Sequence, residues 1–309
     1  MPTALYTDES FGLHRVPPGH VEHPGRYAAV ERHLSLDDFS DLDRRACVCG
    51  RWADVLLAHP DAYRARLERS VPADGLSQLD ADTFMGPASL TATLRAVGAA
   101  TDAVDRIMAG EITNAFVAAR PPGHHAEAAR AMGFCLINHA AVAALYAQAR
   151  HGCERVAVVD FDVHHGNGTE AIFWHREHCF FASSHEWPQY PGTGRETDRG
   201  AYRTVFNAPL ATGTDGTEFR RAWGDRLLPA LNGFKPDFIV ISAGFDGHRA
   251  DPLGGLDLVE ADFRWVTKAL TDLADTHAEG RIVSILEGGY DLDALAVSVG
   301  AHVEALLAA

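Results

Sequence analysis

Residues 155–169 read RVAVVDFDVHHGNGT. The first half, Val156–Phe161, is apolar at nearly every position, and Phe238–Ser242 (FIVIS) and Ile282–Leu286 (IVSIL) share that character. A strand with one wet face alternates apolar and polar side chains. A strand that is apolar throughout is covered on both faces, as in a parallel sheet layered between helices. Working outward, strands are predicted at Asn114–Ala118, Arg155–Phe161, His178–Ser183, Arg203–Phe206, Phe238–Ala243 and Arg281–Leu286. Helices are predicted at Leu136–Arg150, Gly168–His175, Glu218–Asn232, Val259–Thr276 and Leu292–Leu307. This alternation predicts an α/β fold with right-handed crossovers. Ahead of Asn114 the chain reads as helices and loops, with Pro17-Pro18-Gly19-His20 marking an irregular segment. No repeat, linker or low-complexity tract divides residues 1–309, so a single domain is expected.

Bulk properties narrow the function. A formal charge of −15 argues against a nucleic-acid backbone as partner, since such binding needs a basic surface. No window approaches the ~18 uninterrupted apolar residues that span a bilayer. The N-terminus, MPTALYTDES, has neither a basic start nor an apolar core, and a cytoplasmic protein is expected. Five scattered cysteines, with Cys47-Val48-Cys49 in place of a C-x-x-C pair, read as reduced thiols.

Ligands of open parallel sheets bind outside the carboxyl ends of the strands, so the residues that follow each apolar run carry the functional information. After Asn114–Ala118 comes Arg120-Pro121-Pro122-Gly123-His124-His125, and after Val156–Phe161 comes Asp162-Val163-His164-His165-Gly166-Asn167. The two remaining runs lead into Ala243-Gly244-Phe245-Asp246 and Glu287-Gly288-Gly289-Tyr290. Asp162 and His164 are two residues apart, and positions i and i+2 of an extended chain point to one side. With Asp246 from another strand end they form a three-ligand set for a divalent ion such as zinc, leaving a position open for water or substrate. His124 and His125 follow a stiff Pro-Pro-Gly turn, and Asp160 or Asn167 is available to orient either ring. A carboxylate partner favours the charged imidazole whereas an amide adds no charge, so the two rings are suited to divide proton transfers. Tyr290 follows two glycines that permit close backbone approach, and its phenol suits an oxyanion.

In chain order, RPPGHHA (120–126), GFC (133–135), DFDVHHGNGT (160–169), PGTG (191–194), SAGFDGHRADPLGGL (242–256) and LEGGY (286–290) resemble the zinc-dependent histone deacetylase family. The match spans about residues 15–300, and the family includes acetylpolyamine amidohydrolases and bacterial deacetylase-like amidohydrolases. The resemblance implies the arginase/deacetylase fold, a single α/β domain around a mainly parallel eight-stranded sheet. It implies one zinc ion per chain on Asp162, His164 and Asp246, and catalytic roles for His124, His125 and Tyr290. Asp160 matches the carboxylate partner of His124. Asn167 stands where one major class has aspartate, which looks like the class II pattern.

The resemblance also implies a substrate tunnel. Gly133 and Phe134 match one wall, Tyr190 falls near the opposite aromatic wall, and Leu253 and Gly288 belong to the same slot. A narrow aromatic slot suits a lysine stem. Leu253 looks like the lysine-deacetylase version rather than the glutamate that favours polyamines. The expected reaction is therefore hydrolysis of an acylated lysine or a small acylated amine, releasing acetate and a free amine. The stretch PPGHVEHPGRY resembles a rim loop, although Gly25-Arg26 departs from the family's Glu-Arg-Pro. Family members bind potassium as well. A near site would use Asp160, Asp162, His164, Ser183 and Ser184, and a second Phe173, Arg176, Cys179 and Thr204, partly through backbone carbonyls. An arginase-like dimanganese hydrolase is disfavoured, because His165-Gly166-Asn167 offers no further carboxylate. A catalytically silent metal-binding scaffold is disfavoured because every expected catalytic residue is present.

Overall fold

Residues 2–309 are described by a computed structural model. Ten strands form in chain order among them: β1 Thr3–Thr7, β2 Asp43–Ala46, β3 Ser77–Gln78, β4 Phe84–Met85 and β5 Asn114–Val117, then β6 Val156–Asp160, β7 Cys179–Glu186, β8 Val205–Leu210, β9 Phe238–Ala243 and β10 Ile282–Leu286. Eight of them make one sheet in the order β2-β1-β5-β10-β9-β6-β7-β8. Every neighbouring pair in that sheet is parallel. The remaining two, β3 and β4, form a small antiparallel ribbon.

The apolar runs are explained by period-two sorting onto two covered faces. Val156 and Val158 of β6, with Phe238 and Val240 of β9, face a core closed by helices Ser89–Met108 and His139–His151. Ala157, Val159, Ile239 and Ile241 face the opposite core under helices Gly25–Leu34, Glu260–His277 and Leu292–Leu307. The two edge strands are protected from further pairing. β2 is the polar DRRA, and β8 carries Pro209, which has no N–H to offer.

The expectation of helices and loops ahead of Asn114 holds for much of that stretch but misses its strands, since β1 and β2 both join the main sheet. β2 escaped notice because it is an edge strand with alternate side chains exposed, and three of its four residues are charged. β1 is only five residues long. The strand expected at Arg203–Phe206 starts and ends later, as Val205–Leu210, and β7 runs on to Glu186. The helix expected at Glu218–Asn232 is capped by Asp215 and interrupted by a π turn at Trp223–Leu227. That turn seats a fully buried Trp223, whose Nε1 donates to Ser184 Oγ at 3.0 Å. No helix among the described residues is long and apolar enough to cross a membrane.

β5 and β6 are consecutive among the main-sheet strands but are separated in space by β10 and β9. The loops that leave the carboxyl ends of these four central strands therefore converge over a topological switch point. They carry the motifs quoted above.

Several buried histidines are part of this packing. His302 lies between Thr267 Oγ1 at 2.6 Å and Ser284 Oγ at 2.8 Å. Burial holds its pKa down to about 3, and burial likewise holds His139 at about 3 and His59 at about 4. The unfolded chain, with ordinary histidines near 6.5, binds more protons than the folded one between those values. The contribution of these three histidines to stability is thus full above pH 6.5 and is lost as pH falls towards 4, by roughly 1.4 kcal/mol per pH unit for each of them. Denaturant melts between pH 7.5 and 4.5 should show this slope, and His302→Gln should make it shallower.

Candidate active site

The loop after β6 places Asp162 and His164 on one side of the chain, and the loop after β9 brings Asp246 beside them. Among the described residues these three form a group whose donor atoms all lie within 4.8 Å of one another. His164 Nδ1 stands 3.2 Å from Asp162 Oδ1 and 3.1 Å from Asp246 Oδ2. Backbone N–H groups point at the same carboxylates: Val163 N at 2.8 Å from Asp246 Oδ1, His164 N at 2.9 Å from Asp162 Oδ1, and Gly288 N at 2.8 Å from Asp162 Oδ2. A Cβ at Gly288 would lie 2.0 Å from Asp246 Oδ2 and 2.6 Å from Asp162 Oδ2, so only glycine fits.

Electrostatics test whether this set suits a cation. Burial and the charge of Asp162 push Asp246 up to about 7. Asp162 resists burial through His124 and His164, which hold it well below the carboxylate range. Two carboxylates that oppose each other's ionisation in a buried site fit a divalent ion, which removes the penalty on both. The donor set of two oxygens and one imidazole nitrogen is one that zinc accepts.

The paired histidines differ in their partners. His124 Nδ1 lies 2.9 Å from Asp160 Oδ2, and His125 Nδ1 lies 2.8 Å from Asn167 Oδ1, with the two ring centroids 3.9 Å apart. Burial disfavours a charged His124, but Asp162 and Asp160 together overcome it and raise its pKa well above the usual value. Burial lowers His125 well below the usual value, and His124 and His164 push it the same way. Of the paired rings, the surrounding carboxylates thus favour the charged form of His124, whereas burial favours the neutral form of His125.

His125 and His164 reach a cavity of about 230 Å³ whose walls are Gly133, Phe134, Tyr190, Leu253 and Tyr290, with Asp82 and Gln189 also exposed to it. Phe134 adopts φ 67°, a left-handed conformation costly for an aromatic residue, and its amide is held by Thr83 Oγ1 at 3.0 Å. The Phe134 and Tyr290 rings meet edge to face at 5.9 Å, and those of His125 and Tyr190 at 5.1 Å. Burial and the charge of Asp246 raise the Tyr290 phenol well above its usual pKa, so it is a proton-bearing donor.

The structure therefore brings together Asp162, His164, Asp246, His124, His125, Asp160, Asn167, Gly133, Phe134, Tyr190, Leu253 and Tyr290. Gly288 sits beneath the carboxylates, where it contacts Asp162. Ser183 and Ser184 lie on β7, where their hydroxyls meet His185 Nδ1 at 2.9 Å and Trp223 Nε1 at 3.0 Å. The carbonyls of Phe173, Arg176 and Thr204 accept backbone hydrogen bonds from Arg176, Cys179 and Phe181 at 2.9, 3.3 and 3.0 Å.

Other residues that carry the site lie within the quoted stretches, where the sequence assigned them no role. Arg26, read with the rim, is fully buried behind Tyr290. Its guanidinium donates to Gly289 O and Glu287 O, both at 2.5 Å, and lies 4.9 Å from the Tyr290 ring centre. Glu22 joins Arg26 at 3.2 Å to Arg120 at 2.6 Å. Asp251 accepts from Leu253 N at 2.9 Å and Tyr290 N at 2.6 Å, tying one tunnel wall to the phenol. Glu287 accepts from Gly123 N at 2.6 Å and His124 N at 3.1 Å, locking the histidine loop onto β10.

Residues 20–306 match the histone deacetylase domain model. A histone deacetylase-like amidohydrolase of Pseudomonas aeruginosa is 39% identical over 88% of this chain and 73% of its own length. An uncharacterized protein of Synechocystis is 39% identical over 99% of this chain and 100% of its own. The crystal structure of the HDA15 HD domain superposes with a TM-score of 0.94 at 34% identity, over 99% of this chain and 88% of that one. With the motif order, the all-parallel sheet and the domain match in agreement, this chain belongs to the histone deacetylase family of deacetylases and amidohydrolases.

Proposed function

We propose that this chain is a zinc-dependent amidohydrolase that deacetylates N-ε-acetyl-lysine-type substrates, releasing acetate and a free amine. The observation that carries the reading is the Asp162–His164–Asp246 group opening into a narrow cavity beside the paired imidazoles of His124 and His125 and the Tyr290 phenol. A divalent ion held there would supply a Lewis acid for the scissile carbonyl and lower the pKa of a bound water.

The chain's own groups do the rest. His125, neutral and facing the cavity, accepts a proton from the attacking water. His124, favoured as the cation by Asp162 and Asp160, supports the negative charge that develops and keeps the neighbouring ring from being the cation. Tyr290 donates its phenolic hydrogen to the oxyanion forming at the acyl carbon. The departing amine leaves with a proton returned by an imidazole. Phe134, Tyr190 and Leu253 take the apolar stem of the lysine and exclude water around the amide. Potassium belongs to the same proposal, with Asp160, Asp162, His164, Ser183 and Ser184 as the near site and Phe173, Arg176, Cys179 and Thr204 as the second. The support is that backbone carbonyls retain a second lone pair after accepting one hydrogen bond.

One observation favours a rival. Asp82 lines the cavity, and its charge would attract a second cationic group such as that of an acetylated polyamine. Parallel assays on acetyl-lysine peptide, longer acyl-lysines and acetylpolyamines decide between the two, with acetyl-lysine expected to have the highest kcat/KM. Removal of the ligands by Asp162→Ala or His164→Ala should abolish zinc uptake in metal analysis. Gly288→Ala should do so as well while the purified protein keeps its helical and strand signal, because the new methyl intrudes only on the carboxylates. Tyr290→Phe should lower kcat by about 10²–10³ with KM little changed, as expected for a donor to the transition state. Unchanged turnover would remove the phenol from the mechanism.

A further inference from the structure

The Asn167 amide can accept from His125 or donate to it, according to which end faces the ring, because the two ends have nearly the same shape. Its surroundings settle the choice. One end lies 2.8 Å from His125 Nδ1, and the other lies 2.9 Å from Glu127 Oε1 and 3.4 Å from Met132 Sδ. A carboxylate oxygen and a thioether sulfur carry no proton and can only accept. The amide nitrogen, with two hydrogens to place, must face Glu127 and Met132. Oδ1 must then face His125, so His125 Nδ1 bears the hydrogen. Nε2 is left with a lone pair, on a ring that lines the cavity.

We propose that Glu127 is a positioning residue that selects the tautomer of His125, holding the Asn167 amide in the one orientation that leaves Nε2 free to take a proton. The inference rests on the reading of His125 as the base in amide hydrolysis. It also explains why the two histidines are built differently. His124 meets a carboxylate directly, which sets its tautomer but favours the imidazolium. His125 meets its carboxylate through an intervening amide, which passes on orientation without bringing the charge into contact. Glu127 is itself held in place by a tight turn, with its N–H on Arg130 O at 3.0 Å and its carbonyl accepting from Arg130 N at 3.3 Å. Without its side chain, water takes the place of the oxygen at this half-buried position. Water donates as readily as it accepts, so the amide is released to turn. A turned amide presents N–H to Nδ1, moves the ring hydrogen to Nε2 and blocks the base.

Two measurements on the zinc-loaded protein test this. Long-range ¹H–¹⁵N spectra of histidine-labelled protein, with the His125 signals identified by their loss in His125→Phe, should show Nδ1–H and an unprotonated Nε2. In Glu127→Ala the same signals should shift towards the Nε2–H form. In steady-state assays Glu127→Ala should lower kcat at least about tenfold with KM nearly constant, whereas Glu127→Gln, which keeps an accepting oxygen, should stay within about threefold of the parent. Glu127→Ala combined with Asn167→Ala should be no slower than Asn167→Ala alone, because the carboxylate acts only through the amide. An Nε2–H ring in the parent protein, an unchanged kcat in Glu127→Ala, or losses that multiply in the double variant would each overturn the proposal. The spectra are independent of the functional reading. The expected tautomer in a protein that hydrolyses no acylated amine would discard His125 as a hydrolytic base and leave the role of Glu127 standing.

Discussion

Two carboxylates of like charge, Asp162 and Asp246, are held out of water within reach of a single ion, and much of the surrounding structure answers to that constraint. Neither is more than 1% exposed. In a medium of low dielectric their repulsion is several times what water would allow. The fold opposes it with backbone N–H groups from Val163, His164 and Gly288, and with His164 lying against both carboxylates. Such a site persists only on a rigid support. The adjacency of β6 and β9 in an all-parallel sheet supplies one, because both strands end at the same level.

The same constraint accounts for the glycines around the carboxylates. At Gly244 a Cβ would approach Asp162 Oδ2 to 2.0 Å, as close as one at Gly288 would come to Asp246 Oδ2. Backbone must come near enough to donate, and a side chain would prevent it. Behind the Gly288-Gly289-Tyr290 turn, Arg26, Arg120 and Glu22 form a buried ionic group in which burial works against the Glu22 charge but Arg120, then His14 and Arg26, hold it well below the carboxylate range. A buried ion pair contributes little net stability compared with apolar packing, but it is costly to break. Here it fixes the carbonyls of Glu287 and Gly289, and with them the direction in which the phenol leaves the turn.

Much of this was legible in the sequence where a residue's chemistry is local. The doubly covered strands announced themselves by continuous apolar runs, and the strand-end motifs carried the ligands, both histidines and the tyrosine. What escaped had no local mark. β2 is four residues of mostly charged sequence that become a strand only because β1 offers a free edge. Glu22, Arg26 and Arg120 stand in quoted stretches, but their charges read as surface groups until helix Gly25–Leu34 and the loop after β5 are brought together. Glu127 immediately follows the RPPGHHA motif, but its contact with Asn167 crosses forty positions of chain.

Residue identity alone therefore determined the fold class, the family and the inventory of groups able to bind a metal and move protons, because periodicity and motif chemistry are written along the chain. Only the tertiary structure decided which of the paired histidines its surroundings favour as the cation, and which end of the Asn167 amide faces the ring. Those properties depend on distances and burial between loops that leave different strands, and the order of strands in the sheet sets both.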